Sequence, residues 1–172
     1  MNVKKYIMFL CDLLVIDVPV VHIKQNNKYH DMNGNKVEQF TIRDTAMATA
    51  YPKENKILVN MDAFHNGIEY IVLTHEIRHI YQWIAINNKL ESKRLIKLWK
   101  NNFNNYLSSE NEDYTNQSLE VDANAFAYVV ILALFDREIT VKCNQKLLSK
   151  RIKELMLDFS KDEILDSYNY YF

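Results

Sequence analysis

Apolar positions recur along the chain in two rhythms, one near three and a half residues and one near two. Residues 3 to 15 place Tyr6, Phe9, Leu10, Leu13 and Leu14 at intervals of three and four, which predicts a first helix with one buried stripe. The runs then shorten. Val18 to Lys24, Lys36 to Arg43, Ala46 to Tyr51 and Lys56 to Met61 are partly alternating or β-branched, with Asn, Gly, Lys and Pro between them, and predict a small sheet. Asn33-Gly34 suits a hairpin turn, and Pro52 to Asn55 should join the last two strands. The longer period returns at residue 67. It predicts helices over Gly67 to Asn87 and Glu91 to Leu107, a polar, acidic loop over Ser108 to Gln117, and a helix over Ser118 to Asp136 that is apolar nearly all round and therefore buried. A basic amphipathic helix follows near Asn144 to Phe159, and Ser160-x-x-Glu163 caps a last segment. The order predicts an α+β fold in which a small antiparallel or mixed sheet packs on a mainly helical domain.

Length and composition sharpen this picture. At 172 residues, 48% hydrophobic and 25% charged, the chain suits one domain, residues 1–172, with a sizeable core. Only 2 Gly and 2 Pro disfavour an all-β fold rich in tight turns. A net charge of -1 gives no basic footprint, so no nucleic-acid partner is expected. Lys146, Lys150, Arg151 and Lys153 of the penultimate helix read as a solvated face. No run of 18 uncharged apolar residues occurs, so no membrane partner is expected, and Asp12 and Asp17 interrupt the apolar start of the chain in a way that suits a packed helix better than a leader. Cys11 and Cys143 lack a C-x-x-C spacing and are expected free and buried, as in a reducing cytoplasm. Tyr168 to Phe172 form an aromatic end suited to packing.

The chemistry concentrates in His75-Glu76-Ile77-Arg78-His79, set inside the apolar run Ile68 to Ile86. On a helix, positions 75 and 79 lie about 40° apart, so two imidazoles reach one metal ion. Glu76, about 100° round from His75, is placed to hydrogen-bond a water instead of filling a coordination position. A catalytic zinc has three protein ligands and an open position. Glu120, in an Ala-rich apolar helix where an unpaired carboxylate would be costly to bury, is the candidate third ligand. Asn124, at i+4, is placed to orient a ligand imidazole, and Ala123 and Ala127 are small enough for close helix approach. Arg78 has two readings, a pair with Asp122 across the two helices or an exposed arginine.

His75-Glu76-x-x-His79 followed by Glu120-x-x-Ala123-Asn124-x-Phe126-Ala127 resembles the gluzincin metallopeptidases, and within them the small ImmA/IrrE-type and minigluzincin proteins of bacteria, phages and mobile elements. The likeness covers roughly residues 42 to 135. It implies a zincin-like fold, Zn2+ held by His75, His79 and Glu120, Glu76 as general base, and Asn124 where many relatives carry Asp. It also implies hydrolysis of a peptide or protein substrate laid along a sheet edge, for which Ala46 to Tyr51 is the preferred strand over Ile57 to Val59. For the oxyanion, Tyr114, Tyr106, Tyr128 and His65 are available. Tyr114 is favoured for its place in the loop before Glu120, whereas His65, His22 and His30 read as loop or surface residues. The competing reading is a catalytically silent, zinc-stabilised binding or regulatory module. A third is an unmetallated helical protein in which both motifs are accidental. Nothing in the sequence sets an oligomeric state.

Overall fold

A computed structural model describes residues 2–42, 46–107 and 110–172. Among the described residues six α-helices accompany a four-stranded mixed sheet: α1 (Val3–Leu13), β1 (Val20–Gln25), β2 (Lys28–Asp31), β3 (Ala48–Tyr51), β4 (Lys56–Asn60), α2 (Ile68–Asn88), α3 (Lys93–Asn104), α4 (Ser118–Phe135), α5 (Gln145–Asp158) and α6 (Lys161–Tyr171). The sheet order is β2-β1-β4-β3, with β1 and β4 parallel and the outer pairs antiparallel. β3 is therefore an edge strand, and α2 packs against it.

The helical rhythm locates α1 to α5 to within a few residues of their predicted bounds, and the capped segment at Ser160 opens α6. α1 is capped by the Asn2 side chain and sinks Tyr6, Ile7, Phe9 and Leu10 completely. α4, apolar all round, is the central helix: Ala125, Phe126, Val129 and Val130 join Leu73, Ile77 and Ile80 of α2 and Ile57 and Val59 of β4 in one core. Among the described residues it is the one helix long and apolar enough to cross a membrane, yet 67% of it is buried inside the fold, as a core helix is. Ala123 and Ala127 are fully buried, and α4 makes its most extensive contact with α2. The predicted capping box forms at Ser160 and Glu163.

Three expectations need correction. The predicted strand over Lys36 to Arg43 is not one: Lys36 makes a single bridge to His30, Phe40 lies against the rings of His22 and Tyr29, and Arg43 falls outside the described residues. Its place is taken by β2, because Asn26 and Asn27 both adopt left-handed backbone, at φ 51° and 56°, and so close a two-residue hairpin between β1 and β2. Asp62 accepts from both turn amides and fixes it. Asn33-Gly34 does turn the chain, one step later, through Gly34 N–H donating to the Asp31 carbonyl. Secondly, Arg151 is buried rather than solvated. Thirdly, Cys143 is only half-buried, while Cys11 is buried; both are free. The aromatic end packs: Tyr168 meets Phe9 edge-on, and the Tyr171 hydroxyl donates to Asp12.

Candidate metal centre

α2 carries His75, Glu76 and His79 on the turns facing α4, and the first turn of α4 presents Glu120 to them. The ligand atoms converge. His75 Nε2 and His79 Nε2 lie 3.0 Å apart, His75 Nε2 lies 3.3 Å from Glu120 Oε2, and His79 Nε2 lies 3.4 Å from Glu120 Oε1. Tetrahedral coordination at about 2.0–2.1 Å places neighbouring ligand atoms about 3.3–3.4 Å apart, which the two histidine–Glu120 separations match and the histidine–histidine separation undercuts.

The outer nitrogens decide which face each ring offers. His75 Nδ1 faces the Asn124 side-chain oxygen at 3.0 Å, and His79 Nδ1 faces the Gln82 side-chain oxygen at 2.8 Å. An oxygen acceptor there holds the proton on Nδ1, which leaves a lone pair on Nε2 of both rings. Two lone pairs aimed at one another beside a carboxylate repel unless a cation sits among them. The group formed by His75, His79 and Glu120 can therefore hold a metal ion, and its two imidazoles and one carboxylate suit a divalent first-row metal.

The electrostatics follow from the same packing. Burial works against charge on Glu120, but the two imidazoles outweigh it and hold the carboxyl well below its ordinary range. Burial likewise presses the His79 pKa down, and the Glu120 charge and hydrogen bond reverse this, pushing it up to about 9 when only protons compete for the site. For Glu76, desolvation dominates and raises the pKa despite the neighbouring histidines. Its Oε2 accepts from the Ala50 amide of the edge strand at 2.6 Å. That amide points away from β4 and across to α2, so backbone of β3 lines the site.

A cavity of about 780 Å³ opens beside the group, walled by Ala48 to Pro52 on one side, Glu76 and His79 at the base, and Phe103, Tyr106, Leu107 and Tyr114 opposite; His75 and Glu120 lie behind this lining. Tyr106 donates to Glu120 Oε1, and its hydroxyl lies 3.1 Å from that of Tyr114, which stands in a single helical turn, Tyr114–Asn116. Burial, then the Glu120 charge, raises both phenols, Tyr114 to about 12. Of the other oxyanion candidates, Tyr128 lies near Glu138 and His65 bonds the Ala63 carbonyl; neither lines the cavity.

Arg78 is fully buried and pairs with Asp122, so the interhelical reading describes it and the exposed one does not. Two residues escaped the sequence reading. Gln82 had a local signal, since at i+3 from His79 it shares that residue's helix face. Arg151 had none, because its partner lies on another helix. No family model, curated protein or solved structure matches the chain.

Proposed function

We propose that this protein is a zinc-dependent metallopeptidase of zincin-like architecture. The observation that carries the reading is the convergence of His75, His79 and Glu120, each ring held by Nδ1 so that Nε2 faces inward, with Glu76 beside His79 on the cavity floor. The resemblance to gluzincins agrees with it.

Zinc, when bound, supplies the Lewis acidity that polarises a peptide carbonyl and acidifies a water. Glu76, its pKa raised by burial, takes the proton of the attacking water and passes it to the departing amine nitrogen. Asn124 holds the ring of His75 in place. The single proton of Tyr106 is committed to Glu120, so Tyr114 donates to the Tyr106 hydroxyl, and turning that O–H aside would bring a donor toward a developing oxyanion. The outer edge of β3, with the Ala50 amide shared with Glu76, would offer its remaining backbone groups to an extended peptide, a mode that tolerates many sequences.

Elemental analysis of the purified chain comes first and should find close to one zinc per molecule. Glu76→Gln should retain that zinc and lose cleavage of a proteome-derived peptide library; cleavage surviving the substitution removes Glu76 from the mechanism. Full zinc loading with no cleavage by the unmodified protein would assign the centre to a binding or regulatory module instead.

A further inference from the structure

Behind His79, away from the cavity, lies a buried polar cluster that no step of the proposed reaction uses. Gln82, Arg78 and Asp122 are 0%, 0% and 1% exposed, and Arg151 of α5 is 8% exposed. Asp122 is the centre. Its Oδ2 accepts from Arg78 Nε at 2.8 Å and Gln82 Nε2 at 2.7 Å, and its Oδ1 accepts from Arg151 Nε at 2.6 Å and Arg78 Nη2 at 3.2 Å. Gln82 Nε2 also donates to the Leu119 carbonyl at 3.0 Å.

These contacts permit one orientation of the Gln82 amide. Its nitrogen faces two groups that only accept, so its oxygen must face His79. An oxygen at that position keeps the proton on His79 Nδ1 and turns the lone pair of Nε2 toward His75 and Glu120. Reversing the amide would point an NH2 at the imidazole and an oxygen at a carboxylate. The two arginines keep Asp122 anionic and fixed in place, and Arg151 brings α5 into the arrangement.

We propose that Gln82, oriented by Asp122 between Arg78 and Arg151, is a positioning residue that selects Nε2 of His79 as the metal-facing nitrogen, so that packing of α5 sets the metal affinity of a site it does not touch. This rests on the metal-centre reading. Zn2+ affinity measured by competition against a chromophoric chelator, together with the visible spectrum of the Co2+-loaded protein, tests it. Gln82→Met, which keeps the volume and removes both polar atoms, should weaken Zn2+ binding by about 10–100-fold and alter the Co2+ spectrum. Arg151→Met should weaken it in the same direction and Arg151→Lys restore part of the loss, which keeps the test open if Gln82→Met does not fold. Phe9→Leu, a core change on α1 far from the centre, should lower thermal stability and leave the affinity unchanged.

Long-range proton–nitrogen spectra of the zinc-loaded protein should show His79 protonated at Nδ1. Affinities of Gln82→Met and Arg151→Met within about twofold of the unmodified chain would overturn the proposal, as would a proton on Nε2 of His79 or an equal loss in Phe9→Leu. Failure of the unmodified chain to bind either metal defeats the underlying reading, and is seen before any variant is made.

Discussion

Replacing Asp122 by Asn keeps the volume of the side chain and removes its charge. Four donors converge on the two carboxylate oxygens, three of them from guanidinium groups. A carboxamide has one oxygen, so in either orientation its NH2 meets two of those donors and leaves them without an acceptor. Hydrogen bonds to a charged group are each worth about 1.5–3 kcal/mol, which gives a loss of about 3–6 kcal/mol. The cost of removing one partner from a buried ion pair, about 3–5 kcal/mol, agrees. For a chain of this length that corresponds to a fall in Tm of roughly 6–24 °C. Urea unfolding followed by far-ultraviolet circular dichroism measures it, with an unchanged slope showing that the unfolded state is not the cause. The two sites should also couple, because Arg151→Met removes a cation that Asp122→Asn has orphaned. The double variant should therefore be less destabilised than the two single losses combined. The pH dependence has a definite sign. Burial opposes the Asp122 charge, but Arg78 and Arg151 outweigh it and hold the carboxyl below its ordinary value of 3.8. Its contribution is present above about pH 4 and is lost as pH falls through the folded value, so Asp122→Asn should lack that part of the acid transition. A loss below about 1 kcal/mol would mean that the cluster contributes far less than these contacts require.

Saturating zinc at about a thousand times its dissociation constant should stabilise the fold by about 4 kcal/mol. Thermal scans should then show a rise of roughly 8–16 °C that excess chelator abolishes; identical scans with and without zinc would refute it. Asn124→Ala frees the His75 ring and should weaken zinc about tenfold or more in a competition titration, whereas Asn124→Asp, which keeps an acceptor and adds charge, should not. A thiol reagent should label half-buried Cys143 readily and Cys11 only on unfolding, because burial leaves Cys11 at 1% exposure and, with nearby Asp12, pushes its pKa up to about 12.

The helices were legible because their signal is local: a stripe at 3.6 residues survives whatever the chain packs against. The histidine pair and Glu76 share one helix and could be placed by rotation alone. Glu120 was legible for a different reason, as a carboxylate stranded in an apolar helix. β2 was missed because Asn33-Gly34 is the stronger turn signal, and Asn26-Asn27, whose left-handed backbone makes the hairpin, reads as ordinary polar loop. Arg151 on the basic face of an amphipathic helix has nothing to distinguish it from its lysine neighbours, and its partner is 29 residues away on α4. The choice between Tyr106 and Tyr114 was open to sequence in principle only, since it depends on which phenol reaches Glu120.

Glu120 and Asp122, two residues apart on α4, point to opposite sides of the helix and meet different kinds of charge. Asp122 faces permanent cations, Arg78 and Arg151, which Glu91 and Glu154 approach from their outer side. On the other side Glu120 meets His75 and His79, with Glu76 near enough to feel its charge, and among the described residues no lysine or arginine pairs with either. With both Nδ1 protons held by Asn124 and Gln82, the rings of His75 and His79 are neutral when their Nε2 lone pairs face inward. The site then carries the Glu120 charge and three converging lone-pair donors. A proton on His79, which Glu120 favours up to about pH 9, balances that charge, and a metal cation would compete with it for the same lone pairs. The helix therefore separates a carboxylate paired with two permanent cations from one that meets two imidazoles and a phenol, groups whose charge depends on what binds them.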